Sequence, residues 1–126
     1  MESSLARTPA PPYTAVVFTS VARTLPMPAA YSAAAGAMEA LAAQQPGYLG
    51  FEASGRGADG VGISVSYWSS PEAAYMWKHV AEHTAVQATG RREWYRSYTV
   101  RVCTVERAYT WSDDVLAHVD APANST

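Results

Sequence analysis

The chain is short of several things, and each shortage removes a class of answers. It has one cysteine, Cys103, in 126 residues, so neither an internal disulfide nor a multi-cysteine zinc site can form. It has no excess of positive charge: nine Lys and Arg stand against eleven Asp and Glu, a net charge of −2. Nucleic-acid binding asks for a concentrated basic field instead. Nowhere does a positively charged stretch lead into a long apolar run, so no signal peptide or membrane span is expected. These features point to a cytoplasmic protein. Phenylalanine is scarce too, with two residues against four tryptophans and eight tyrosines. Trp and Tyr carry polar handles that suit pocket walls and interfaces better than dry cores.

What is present reads as one domain. Residues 1–12 carry three prolines and little periodic pattern, and residues 112–126 end in a small polar run; both are expected to be flexible segments flanking a domain over 13–111. Residues 13–22 are dense in β-branched and aromatic types and predict a first strand. Ala30 to Gln45 is alanine-rich and predicts a helix, stopped by Pro46-Gly47. Tyr48 to Ser54 predicts a second strand, and residues 55–60, with three glycines, a turn. These glycines do not lead from a strand into a helix, so they form no phosphate cradle. Val61 to Trp68 alternates with a period of two, Val61, Ile63, Val65 and Tyr67 against Gly62, Ser64, Ser66 and Trp68, and predicts the other arm of a hairpin.

Ser69-Ser70-Pro71-Glu72 is a helix start, with a serine cap and proline at the first helical position. The second helix is expected from Pro71 to about Thr89, with a short helical stretch near residues 91–95 and a last strand over 97–110. The order β-α-β-β-α-β is the ferredoxin-like split unit: an α+β fold whose antiparallel sheet carries helices on one face. The strands are apolar on both faces. Val16 and Phe18 oppose Ala15, Val17 and Val21 in the first strand, and Val100 and Val102 oppose Cys103 and Val105 in the last. A sheet of this kind is expected to pack against a second copy, giving a homodimer through sheet faces. Arg101, set in an apolar strand, is expected to meet a carboxylate or an interface partner, with Glu106 of a second copy one choice.

Candidate functional residues come from the second helix and its surroundings. His79 and His83 lie four apart, on neighbouring parts of one helix face. A metal site needs at least a third ligand; His118 lies in the tail and no HExxH motif is present, so no metal is expected. Winding the helix at about 100° per residue puts Ala73, Met76, Trp77, Val80, Thr84 and Ala88 on the buried arc and His83 at its edge beside Gln87. Imidazole titrates near neutral pH, so His83 is the candidate general base; a boundary histidine bonded to backbone or water is the bland alternative. Trp77 is either a pocket wall or ordinary helix–sheet core. Tyr67, Trp68, Trp94, Tyr95 and Tyr98 are expected to cluster near the ends of this helix, some lining a pocket and some a dimer seam. Ser20, Ser64 and Ser66 either leave room for a ligand or face solvent. Cys103 reads as a small buried hydrophobe.

The strand–helix–Pro46-Gly47–strand opening, the hairpin ending in Ser66-Tyr67-Trp68, the proline-capped helix with Trp77, His79 and His83, and the closing Trp94-Tyr95 and Tyr98-Thr99-Val100-Arg101-Val102 resemble the antibiotic biosynthesis monooxygenase family over about residues 13–110. The resemblance implies a dimeric α+β barrel with a pocket between helices and sheet. It implies an enzyme of secondary metabolism that oxidises a small aromatic or polyketide-like substrate with O₂ and no cofactor, or a related base-catalysed reaction. A non-catalytic binding or accessory dimer of the same fold is the alternative. The expected site comprises His83 as base and Trp77, Ser20, Tyr67, Trp68, Gln87, Trp94 and Tyr98 as the substrate-binding set. The haem-degrading branch matches at Trp77 only: Ser20 and Gln87 stand where it has asparagine and histidine, and a neutral glutamine cannot supply the imidazole–iron bond.

Overall fold

The structure, a computed structural model, describes residues 5–84 and 88–113. Strand β1 (Tyr13–Ala22) is followed by helix α1 (Ala30–Ala43), β2 (Tyr48–Ala53), β3 (Val61–Trp68), helix α2 (Pro71–Glu82), a π-helical turn (Gly90–Trp94) and β4 (Tyr95–Val105). The four strands form one antiparallel sheet in the order β2-β3-β1-β4. This is the expected α+β ferredoxin-like arrangement, in which the first and third strands sit side by side at the centre.

Local chemistry sets the boundaries. Pro46 ends α1, and Gly47 turns the chain with φ +84°, a conformation open to glycine at little cost. A Cβ at position 47 would also lie 2.6 Å from the Ala73 Cβ, so glycine there lets the turn dock on α2. Ser70 accepts a hydrogen bond from the Ala73 N–H at 3.1 Å, with Pro71 opening α2; together they satisfy the first orphan donors of the helix. Helix α2 is shorter than expected. It ends at Glu82, and the Thr84 hydroxyl donates to the Ala81 carbonyl, offering the backbone a local partner that competes with helix continuation. Strand β4 starts two residues earlier than expected and stops at Val105, opposite Tyr13. Beyond Tyr13 its neighbour β1 is preceded by Pro11-Pro12, which have no N–H to extend the ladder.

Register decides which side of each strand meets the helices. The rows Trp68–Thr14–Thr104, Ser66–Val16–Val102, Ser64–Phe18–Val100 and Gly62–Ser20–Tyr98 share the inner face. Here Trp68, Ala42 and Ala74 are buried, with Val16, Tyr48, Ala73 and Trp77 packed around them. The Trp68 indole is fully buried and donates to Ser66 Oγ at 2.8 Å, so the largest core side chain keeps its N–H satisfied. On α2, Met76 is exposed at 60 %, against its expected place on the buried arc. The small residues Ala74 and Ala81 are buried instead, because the stripe facing the sheet is rotated toward the side that lets Trp77 reach Trp68.

The outer face, away from the helices, holds the apolar half of β3. Val61, Val65 and Val17 are half-buried there and Ile63 is 47 % exposed. Residues 5–12 lie along one end of this face. The Ala6 N–H donates to Glu52, the Tyr67 hydroxyl donates to the other oxygen of the same carboxylate, and Thr8 and Tyr13 share a hydrogen bond between their hydroxyls. Arg101 and Cys103 are exposed on the same face, where Cys103 was expected to be buried; β4 is an edge strand, so its outward side chains have a neighbour on one side only.

Candidate functional site

The inner face is not uniform along its length. Toward the end that carries Trp68 it is packed core; toward Ser20 it becomes polar and aromatic at once. Ser20 is 1 % exposed and sits in register between Gly62 and Tyr98. Arg56, from the β2–β3 connection, reaches over this row. Its Nη1 donates to the Gly60 carbonyl at 2.8 Å and to the Ser20 carbonyl at 3.3 Å. Its Nη2 donates to Ser20 Oγ at 3.1 Å and to the Tyr31 hydroxyl at 3.3 Å. The guanidinium lies over Gly62, where a Cβ would come within 2.9 Å of Cζ. Only a residue without a side chain leaves that seat open.

Aromatic rings surround it. The guanidinium carbon is 5.7 Å from the Tyr31 ring centre and 5.9 Å from that of Tyr95, within range of cation–π attraction. Tyr31 meets Trp94 and Tyr95 edge-on, and Phe18 contacts Tyr95 and Tyr98 at 5.5 and 5.1 Å. Trp94 is buried, while Phe18, Tyr31, Tyr95 and Tyr98 are half-buried. The π-helical turn places Trp94 and Tyr95 on this end of the sheet; Arg23 pins the turn by donating from its backbone N–H to the Trp94 carbonyl and from Nη2 to the Arg91 carbonyl. Arg91 Nε donates to the Tyr98 hydroxyl at 2.9 Å. Burial, and then the hydrogen bond with Tyr31, push the Tyr95 phenol well above the ordinary tyrosine range. It stays protonated near neutral pH and serves as a hydrogen-bonding hydroxyl.

The sequence-predicted residues divide into separate groups. Ser20, Trp94 and Tyr98 come together in this cluster. Trp68 and Trp77 stack on one another at 5.7 Å in the core, with Trp77 half-buried and Trp68 sealed. Tyr67 lies on the opposite face of the sheet; burial and its bond to Glu52 raise its phenol far above the ordinary range. Gln87 lies outside the described residues. His83 is exposed at the C-cap of α2, its Nδ1 2.8 Å from the His79 carbonyl and its ring stacked on His79. Tyr75, His79 and His83 form an exposed stripe on α2, so the structure does not bring His83 to the aromatic cluster. The expected placement at the edge of the buried arc centred that arc too near Met76; the stripe that is buried runs through Ala74, Trp77 and Ala81, which leaves His83 with His79 on the exposed side. Among the described residues no group of three or more His, Cys, Asp or Glu is placed to hold a metal ion. No described helix is long and apolar enough to cross a membrane.

Two participants had no expectation attached. Arg56 read as part of a glycine-rich turn, and its one sequence signal is a lone cation inside the hairpin connection. Tyr31 sits at the start of an alanine-rich helix whose half-buried positions, Tyr31, Ala34, Met38 and Leu41, follow helical spacing; that spacing marks Tyr31 as facing the sheet.

Comparison with known proteins adds the family. The fold is similar to that of SnoaB, a cofactor-independent oxygenase from Streptomyces nogalater, solved as a mutant: TM-score 0.63 and 14 % identity over 76 % of this chain and 95 % of that one. It is similar to Rv0793 from Mycobacterium tuberculosis with TM-score 0.65 and 15 % identity over 78 % of this chain and 99 % of that one. At the sequence level the chain is 50 % identical over 107 residues to the uncharacterized protein YqjZ of Bacillus subtilis, spanning 85 % of this chain and 91 % of YqjZ. The model of the family described as antibiotic biosynthesis monooxygenase matches residues 29–89. The chain belongs to the antibiotic biosynthesis monooxygenase family.

Proposed function

We propose that the chain is a cofactor-free monooxygenase acting on a small aromatic or polyketide-like substrate, with its site at the Ser20 end of the inner sheet face. One observation carries this: a buried serine bonded to a half-buried arginine, which lies over the rings of Tyr31 and Tyr95, with Phe18, Tyr98 and the buried Trp94 packed against those rings. Aromatic walls with inward polar tips suit a flat, partly polar ligand. In such a reaction the substrate loses a phenolic or enolic proton, and the electron-rich anion reacts with O₂. One oxygen atom enters the substrate and the other leaves as water, with all four electrons drawn from the substrate, so no external reductant is required. The protein's part is to orient the substrate, exclude bulk water and stabilise developing charge.

We also propose that the working form is a homodimer through the outer sheet faces, on the strength of the half-covered Val17, Val61, Ile63 and Val65, and that it operates in the cytoplasm. A second reading, a dimer that holds such a ligand without turning it over, draws support from His83: the candidate base lies on an exposed stripe instead of in the cluster. On the first reading, with the site at the Ser20 cluster, the substrate proton leaves to solvent and His83 takes no part in its removal. A panel of anthrones and naphthols, offered to metal-free protein in an oxygen electrode with ¹⁸O₂, separates the readings. Uptake of one O₂ per product, with one labelled atom retained, supports the enzyme. Saturable binding without uptake across the panel supports the binding protein.

A further inference from the structure

Arg56 stands out because its charge is unanswered. Its four hydrogen-bond acceptors, two carbonyls and two hydroxyls, are all neutral. No carboxylate among the described residues lies within ion-pair distance of it. A cation that is half-buried and lacks a counter-ion has lost hydration without regaining a charge partner, and the rings of Tyr31 and Tyr95 compensate only in part. A guanidinium carries five N–H donors. The four contacts use Nη1 and Nη2, which leaves the Nε–H without a hydrogen-bond partner among the described residues. The Tyr31 hydroxyl, 3.3 Å from Nη2, can turn to donate beside it. This donor set suits one anionic oxygen, since a bidentate carboxylate would have to displace the bonds to Ser20. Arg23 and Arg91 stand at the same end of the sheet but are exposed, and Arg91 has Glu82 within electrostatic range, so the half-buried charge there is that of Arg56.

We propose that Arg56 receives the ionised oxygen of the ligand, and that the ligand is a planar aromatic bearing an acidic hydroxyl, a phenol or the enol of an aromatic ketone. The inference rests on the ligand site placed above at the Ser20 cluster; it does not depend on turnover. On binding, the ligand's O–H bond breaks heterolytically. The electron pair stays on the oxygen beside Arg56 and the proton passes to buffer. The role is one of charge stabilisation, distinct from that of the base. It assigns a task to a residue whose alternative role is to lock the β2–β3 hairpin through Gly60 and Ser20.

The test uses 2-naphthol, whose neutral and ionised forms absorb at different wavelengths, with 2-methoxynaphthalene as a probe of the same shape that cannot ionise. Both are titrated into the full chain, and the ionisation of bound 2-naphthol is followed against pH. The wild-type protein is expected to make bound 2-naphthol at least about tenfold easier to ionise than the free compound. Arg56→Gln removes that gain while changing the affinity for 2-methoxynaphthalene by less than about threefold, and Arg56→Lys keeps part of the gain. Equal ionisation in wild type and Arg56→Gln, with both probes bound, overturns the proposal and leaves the site standing. If neither probe binds the wild type, the site itself is wrong and the proposal falls with it. Should Arg56→Gln fail to fold, Gly62→Ala serves in its place: the new Cβ pushes the guanidinium off its seat and keeps the charge. It is expected to lose the same gain, and an unchanged ionisation in that variant overturns the proposal.

Discussion

Ser66→Ala is the substitution that most cleanly isolates one term of the core. Trp68 has no exposed surface, Ser66 is 8 % exposed, and the indole N–H has the serine oxygen as its partner at 2.8 Å. Removing that oxygen strands a buried donor, at a cost of about 1–3 kcal/mol, whereas removing it once the donor is gone strands nothing. The double-mutant cycle with Trp68→Phe therefore has a definite expectation. Ser66→Ala alone should cost ~2 kcal/mol. Trp68→Phe alone should cost at least as much, because it leaves unfilled space beside Trp77, Ala42 and Ala74. Once Trp68→Phe has removed the indole, the serine change should cost under about 0.5 kcal/mol, giving a coupling of about 1.5 kcal/mol. Urea unfolding followed by circular dichroism, at one fixed protein concentration so that any assembly contributes equally, reads all four proteins of the cycle. An equal cost for Ser66→Ala with and without the indole would refute the claim that the bond, and not the side-chain volume, matters.

Other outcomes follow from the same geometry. Ser70→Ala should lower stability by about 1 kcal/mol through loss of the α2 cap, measured by the same unfolding assay. Ile63→Lys leaves a single chain intact, since Ile63 is 47 % exposed; on the outer face of a dimer it buries an unpaired charge, so analytical ultracentrifugation should show the dissociation constant raised at least about tenfold. Tyr67 and Tyr95 are held above the ordinary tyrosine pKa, both chiefly by burial. The folded state therefore keeps protons that the unfolded state releases near pH ~10. Their contribution is complete below about pH 10 and shrinks as pH rises through the higher folded-state values. The double variant Tyr67→Phe/Tyr95→Phe should show a changed dependence of urea midpoint on pH between about pH 10 and 11, with the wild type losing stabilisation that the variant never had.

Much of the fold was written in local patterns. The alternation over Val61 to Trp68 set β3 at its observed limits, Pro46-Gly47 stopped α1 on schedule, and Ser70-Pro71 opened α2 as expected. Periodicity gives two faces, however, and does not say which one turns inward. In β3 the inward face is the one with more serine and glycine: Trp68 belongs to it and packs beside Ser66, while Gly62 leaves the seat that Arg56 fills. The site was legible in part for the same reason. Ser20 and Tyr98 were recognisable as polar or amphipathic residues on strands and Trp94 as one in the short helical stretch before the last strand, yet Tyr67 and Trp68, adjacent in sequence, fall on opposite faces. Arg56 acts through a contact 36 residues distant, with Ser20, and no local pattern encodes that. His83 was misplaced because the buried arc was centred too near Met76, whereas Ala74 and Ala81 mark the stripe that is buried.

The claim that matters most is that ligands bind at the Ser20 end of the inner face, and the tryptophans can report it. Their indole N–H resonances, followed by ¹⁵N NMR during titration with 2-naphthol, sample the cluster through Trp94, the core through Trp68 and Trp77, and an exposed position through Trp111. Trp94 should move first and furthest, with Trp68 and Trp111 nearly still. A Trp94 resonance that stays fixed while Trp77 or Trp111 shifts with saturation would put the ligand elsewhere and contradict the account.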